Sequence, residues 1–326
     1  MSMRMRLVAG LAFGFSCRSS ANKILVMVPI TVGFIVCVPP KLASDVTTDL
    51  NSSRSQPRPR PKPRRGPMLI LLPPSEGKAT PSRGAPLKLA KLSFPSLNPT
   101  RSTVQAALTR LCGGPAAKAR TVLGISARQD DELQRNRMLA TSPTAPAAEI
   151  YTGVLYDALD IATLPKRSRV RASSDIAIAS ALFGLVRVDD PIPAYRLSGD
   201  GSLPGIGKLA TAWREVVPVA IADAAGRGVI LDLRSSAYVA LGPVPPELAE
   251  QTVVTRVLQE KAGKRSVVSH HNKATKGRIV RALLAQPRAR TIDDVAGALG
   301  DTGYRVDLAA PKKARPWTLD VVVQDL

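Results

Sequence analysis

Histidine, aromatic side chains and acids are all scarce in this chain of 326 residues, and each shortage excludes something. His270 and His271 are the only histidines, so a His/Cys zinc site is ruled out by count. No acidic cluster marks a carboxylate metal site either, and neither a metal nor a cofactor is expected. Cys17 and Cys37 fall in the first 67 residues and Cys112 stands alone in the remainder, which leaves no disulfide pair within residues 68–326. That pattern fits a reducing, cytoplasmic setting. Aromatic residues make up 4% of the chain against 44% hydrophobic, so a core must be built from Ala, Val, Leu and Ile.

Long apolar runs are missing too. The longest, from Ile24 to Val38, is broken by Pro29 and Gly33 and falls short of the roughly 20 residues of a spanning helix. The following CVPPKLASD offers no clean cleavage site. The run reads as sequence upstream of the functional start, with a weak anchor or export signal as the alternative, and no stable membrane association is expected. Next comes SRSQPRPRPKPRRGP, six basic residues with no acid, which cannot bury apolar surface and reads as a disordered linker or tail. At Met68 the text changes to MLILLPPSEGK. Residues 1–67 are therefore expected to be a disordered extension and residues 68–326 a single domain.

Charge is what the chain has in excess. Against 46 Lys and Arg there are 25 Asp and Glu, a net +21. Residues 1–67 hold 11 of the bases and 2 of the acids, a net +9, and the remaining 35 and 23 leave +12 on residues 68–326. A body this basic suits a phosphate-bearing polyanion.

From Met68 strand and helix signals alternate, which predicts an α/β or α+β domain with a mixed sheet. MLILL reads as a buried strand, IAIASALFGLV as another, VILDLRSSAYVAL as strand, loop and helix start, and WTLDVVVQDL as a closing strand. VVTRVLQE and RSVVSHH read as a strand pair. Val104 to Leu111 and Ala116 to Val122 read as two short helices around CGGP, the outline of a helix-hairpin-helix. DELQRNRMLA, Gly153 to Leu159, Leu209 to Gly226 (interrupted near Pro218) and Ala274 to Ala285 read as further helices, and PAYRLSGDGSLPG as a loop.

PPSEGKAT follows a strand as a nucleotide-binding P-loop does. The match fails because Leu72 stands where the first glycine belongs and Ala79 where Ser or Thr must follow the lysine. Lys78 at a strand's carboxyl end is nonetheless placed to meet an anion. In the hairpin, backbone N–H groups near Gly113 and Gly114, with Lys118 and Arg120 one turn on, suit phosphate, although an ordinary helix connection has the same composition. In the basic helix Lys273, Lys276, Arg278 and Arg281 are spread around the axis, so solvation and phosphate contact both stay open. Ser235 and Ser236 follow Asp232, but no G-x-S-x-G elbow supports a serine nucleophile.

Taken together, MLILLPPSEGK, YTGVLYDAL, SALFGLVRVDDPIPAYRLSGD, LDLRSSAYVAL, HHNKATKGRIVRALL and GYRVDL resemble, in this order, the YaaA family of peroxide-stress proteins. The resemblance implies a basic cleft, a helix-hairpin-helix that binds double-stranded DNA, and a role in limiting peroxide damage linked to free intracellular iron. Carried onto this chain it nominates Lys78, Tyr195, Arg196, Asp232, Ser235, Tyr238, Lys273 and Arg278 for the cleft, and Gly113, Gly114, Lys118 and Arg120 for the hairpin. An enzyme acting on a nucleotide or nucleic-acid base is the alternative, with Asp232, Tyr238, Lys273 and His270 as acid/base and anion-holding groups. The disposition of Asp232 discriminates: bonded to backbone it favours binding, whereas in a closed pocket beside Lys78 and Arg196 it favours catalysis.

Overall fold

The computed structural model describes residues 66, 68–261, 264–267, 269–311 and 315–323. The extension expected over residues 1–67 lies, Gly66 aside, outside the described residues, as do the side chains of His270 and His271. The fold class is the expected one: mixed α/β, built on an eight-stranded sheet. Its strands in chain order are β1 (Leu69–Leu72), β2 (Ile176–Ser180), β3 (Gly184–Arg187), β4 (Ile230–Asp232), β5 (Thr252–Lys261), β6 (Lys264–Val267), β7 (Arg305–Ala309) and β8 (Trp317–Val323). The α-helices of six residues or more are α1 (Asn98–Gly113), α2 (Ala116–Leu123), α3 (Asp130–Arg137), α4 (Val154–Leu159), α5 (Lys166–Asp175), α6 (Val217–Ala225), α7 (Ser269–Ala285) and α8 (Ile292–Asp301).

The sheet runs β7-β8-β5-β4-β1-β2-β3, with β6 paired to β5. β2, β1, β4, β5 and β8 are parallel, while β3, β6 and β7 run antiparallel to their neighbours. LILL at the centre is buried throughout, as a strand covered on both faces must be. From β1 the chain crosses to β2 on one side, and from β4 it continues to β5 on the other. The carboxyl ends of β1 and β4 thus flank a topological switch point, where open α/β sheets leave a crevice. β5 pairs with β4 only as far as Val254 and with β6 from Leu258 onward, on the edge not used by β8. The β5/β6 hairpin therefore projects roughly 20 Å past the end of β4.

Several elements differ from the sequence reading. IAIASALFGLV is a hairpin, not one strand: Gly184 adopts φ +72°, and a Cβ there would lie 2.8 Å from the Trp213 ring. The turn is entirely buried, and its carbonyls are satisfied by Trp213 Nε1 on Ala181 O (2.9 Å) and by Arg101 on Phe183 O (2.9 Å) and Leu185 O (2.7 Å). Arg101 has no exposed surface and meets only carbonyl and amide oxygens, so burial lowers its pKa to about 10. α1 starts six residues earlier than read because Pro99 sits in the first turn, where its missing N–H costs nothing. SHH opens α7 instead of extending β6. α8, opened by a Thr291/Asp294 capping box, and α5 had not been read as helices.

Gly277 explains the tight seat of α7. A Cβ there would fall 2.2 Å from Leu155 O and 2.9 Å from Leu159 N, so the helix lies directly on the backbone of α4. Arg281 completes the contact by donating to Leu159 O (3.0 Å) and Asp160 O (2.7 Å), which caps the end of α4.

Candidate functional site

The loop after β1 is fixed at several points. Tyr156 Oη donates to Pro73 O (2.7 Å), Thr152 N to Ser75 Oγ (3.1 Å) and Ala79 N to Ile150 O (2.9 Å), and Lys78 forms a backbone bridge with Tyr151. Lys78 Nζ donates to Ser75 O (3.0 Å) and Glu76 O (3.3 Å). It lies 4.4 Å from the centroid of the Tyr195 ring and 5.7 Å from that of Tyr151. Burial, and then the Arg196 charge, bring its pKa from 10.5 down to about 8 against the weaker pull of Glu132 and Glu76.

Behind the lysine is a chain of buried hydroxyls. Tyr151 Oη is 2.9 Å from Tyr195 Oη, which is 2.7 Å from Ser180 Oγ at the end of β2. Ser180 Oγ accepts from Phe183 N (2.9 Å). Burial raises the pKa of both tyrosines, and of Tyr156, so all three are neutral. Tyr238 reaches the same region: it takes a backbone hydrogen bond from Gly199, and burial followed by the proximity of Tyr195 raises its pKa too. Arg196 is held by its main chain, since Asn136 on α3 accepts from Arg196 N (2.9 Å) and donates to Arg196 O (2.8 Å). Its guanidinium is 3.8 Å from the exposed Glu76 carboxylate.

Asp232 is closed into an ion pair. It is 4% exposed, and Arg234 occupies both of its oxygens through Nε (2.9 Å) and Nη2 (2.7 Å), while Arg234 N donates at 3.0 Å. Arg234 also donates to Gly242 O (2.8 Å). The pair therefore clamps the loop after β4. Lys276 Nζ donates to Leu233 O (2.9 Å) and ties α7 to that loop, with burial lowering its pKa. Ser235 is exposed just before the short helix Ser236–Val239. Lys273 is exposed and makes no ion pair among the described residues, and Arg278 is exposed near Tyr304.

The hairpin region is a unit of three helices, not a free pair. Arg120 is bound bidentately by Asp130 of α3 (2.7 and 2.6 Å), so its charge is already neutralised. Gly114 N donates to Leu111 O, which removes one of the turn amides from service. Gly113, Gly114 and Lys118 are exposed, and neither glycine has a positive φ. The structure thus brings Lys78, Tyr195, Arg196 and Tyr238 near one another, whereas Asp232 is taken up by Arg234 in the loop after β4. Asn136, Tyr151 and Ser180 were missed as site residues. YTGVLY carried a signal for the second, but nothing distinguished Asn136 from other polar residues of its helix.

A family model described as peroxide stress protein YaaA matches residues 68–310. The chain belongs to the YaaA family. A UPF0246 protein of Streptomyces coelicolor is 49% identical over 261 residues, which is 79% of this chain and all of the relative. UPF0246 proteins of Corynebacterium glutamicum strain R and Corynebacterium efficiens are 44% and 42% identical, over 74% and 78% of this chain and 95% and 100% of theirs. The YaaA match spans the β1 loop, the Tyr151–Tyr195–Ser180 chain and the Asp232–Arg234 clamp alike. Among the described residues no helix is long and apolar enough to cross a membrane.

Proposed function

We propose that this YaaA-family protein binds double-stranded DNA in the cytoplasm during peroxide stress and helps limit damage linked to free intracellular iron, with a DNA phosphate held between Lys78 and Arg196. The adjacency of these two cations carries the reading. Arg196 lowers the Lys78 pKa, so the fold holds like charges together at an energetic cost that a bound anion would relieve. Of the two carboxylates near the pair, Glu76 is exposed and only loosely engaged, and Glu132 is already paired with Arg135. Asp232, closed off by Arg234, adds no repulsion toward phosphate. The +12 on residues 68–326 supplies the long-range attraction. The iron link and the compartment rest on the family resemblance and on cysteine usage.

The test is binding to a short duplex over a salt series from about 50 to 200 mM. Lys78→Ala/Arg196→Ala is expected to weaken binding and to reduce the slope of log K against log salt by about one to two, the loss of one or two phosphate contacts. Lys118→Ala/Arg120→Ala should change the slope by no more than about one, because Asp130 already holds Arg120. Absence of binding at the lowest salt would overturn the reading.

A further inference from the structure

We propose that Lys78 is a nucleophilic amine that captures, as an imine, an aldehyde lying beside a phosphate, and that its ligand is DNA carrying a ring-opened deoxyribose that has lost its base. The inference rests on the DNA-binding reading above and adds a chemical step to it.

The geometry is that of a held amine, not a solvated one. Four ties between the β1 loop and the segment Ile150–Tyr156 fix the backbone that carries Lys78. Ser75 O and Glu76 O then fix Nζ itself. A nucleophile positioned in this way has already lost the orientational freedom that slows attack. Lysine acts as a nucleophile only when neutral, and the burial and neighbouring Arg196 that lower its pKa provide that form near neutral pH. The surroundings also suit the product. A protonated imine keeps a positive charge on Nζ, where the Tyr195 and Tyr151 ring faces stabilise a cation, and its one remaining N–H can still be donated to one of the two carbonyls.

The step balances without an oxidant or reductant. The Nζ lone pair attacks the aldehyde carbon and an N–C bond forms. The carbonyl oxygen takes one proton from the amine and one from solvent and leaves as water, and the iminium remains with one N–H. Hydrolysis reverses it. An intact nucleotide offers no aldehyde, because its C1′ is bonded to the base, and loss of the base frees that carbon. Arg196, beside the amine, is placed for the flanking phosphate. A small sugar phosphate shares the same pairing of aldehyde and phosphate, so the experiment separates the two sources.

The full-length chain is incubated with sodium cyanoborohydride and one of three probes: a duplex with a single abasic site, the same duplex intact, or glyceraldehyde 3-phosphate. Adducts are quantified and mapped by peptide mass spectrometry. The expected result is an adduct on Lys78 from the abasic duplex and none from the intact duplex. At concentrations that saturate binding, Lys78→Arg should lower the yield at least tenfold. Mapping the wild-type adduct keeps the test decisive even if that variant folds poorly. The proposal is overturned if the abasic duplex binds without forming an adduct, if the adduct maps to another lysine such as Lys118, or if only glyceraldehyde 3-phosphate labels Lys78. Failure to bind either duplex removes the DNA reading itself and this inference with it.

Discussion

Lys78 and Asp232 were both nominated on sequence, and their surroundings give them opposite characters. Desolvation beside Arg196 makes Lys78 titrate near 8 instead of 10.5. Acylation of Lys78, followed by peptide mass spectrometry, should therefore rise with pH with a midpoint near 8; a midpoint near 10.5 would contradict the buried, like-charged environment. The same depression means that the folded protein binds fewer protons than the unfolded chain between about 8 and 10.5. This group's contribution to stability accordingly rises with pH across that window. Asp232 is a clamp, so Asp232→Ala should leave Arg234 buried and unpaired and cost about 3–5 kcal/mol in urea denaturation. A variant of full stability that had lost function would return Asp232 to the acid/base role. Lys78 was legible because PPSEGK places it just past a strand. The Asp232–Arg234 pairing was not, because residues two apart on a regular strand share a face but stand about 7 Å apart, and only the chain's departure from the strand after Asp232 brings the Arg234 N–H and guanidinium onto its carboxylate.

Elements were legible where punctuation was local and illegible where burial replaced it. The β2/β3 turn consists of Ala181, Leu182 and Phe183, with no polar residue to mark it, and its carbonyls are satisfied by Arg101 and Trp213 from distant parts of the chain. Gly184 was the one local sign. α5 hid for the opposite reason: KRSRVRASSD has no apolar stripe, and the helix is held by polar ties such as Ser168 Oγ to Leu284 O (2.9 Å) and Arg288 to Asp175 (2.8 Å). The basic helix was read for its charges, yet its glycine matters most to the fold. Gly277→Ala would drive a methyl into the Leu155 carbonyl, a backbone atom that cannot turn aside, and should destabilise by about 1–3 kcal/mol in thermal or urea unfolding. Gly113→Ala is the comparison, since a Cβ there meets nothing within 4 Å. It should stay within about 0.5 kcal/mol or stabilise the end of α1. Equal effects at the two positions would refute the close seating of α7 on α4.

For the whole molecule, the class and basic character of residues 68–326 were legible, whereas the strand order was not. Parallel pairing of β1 with both β2 and β4 joins segments more than 100 residues apart, and no local pattern specifies it. The charge also needed the structure before it could be apportioned. Arg256, Arg265 and Arg305 are engaged by Asp320, Glu260 and Asp307 on the β5–β8 part of the sheet, and Arg120 by Asp130. These residues add little free positive potential, which shifts weight to the crevice and to the +9 of residues 1–67. A chain beginning at Met68 tests that division. The sheet and its core come from Met68 and the residues after it, so the shortened chain should unfold within about 2 °C of the full one, a change of no more than about 1 kcal/mol at about 2–4 °C per kcal/mol for a domain of this size. Without the 11 Lys and Arg of residues 1–67 its salt slope on duplex DNA should be shallower, because fewer counterions are released. Binding should persist, and Lys78→Ala/Arg196→Ala should still lower the slope by about one to two. If binding vanished with residues 1–67 while the unfolding temperature held, the DNA contacts would belong to the basic tail and not to the crevice.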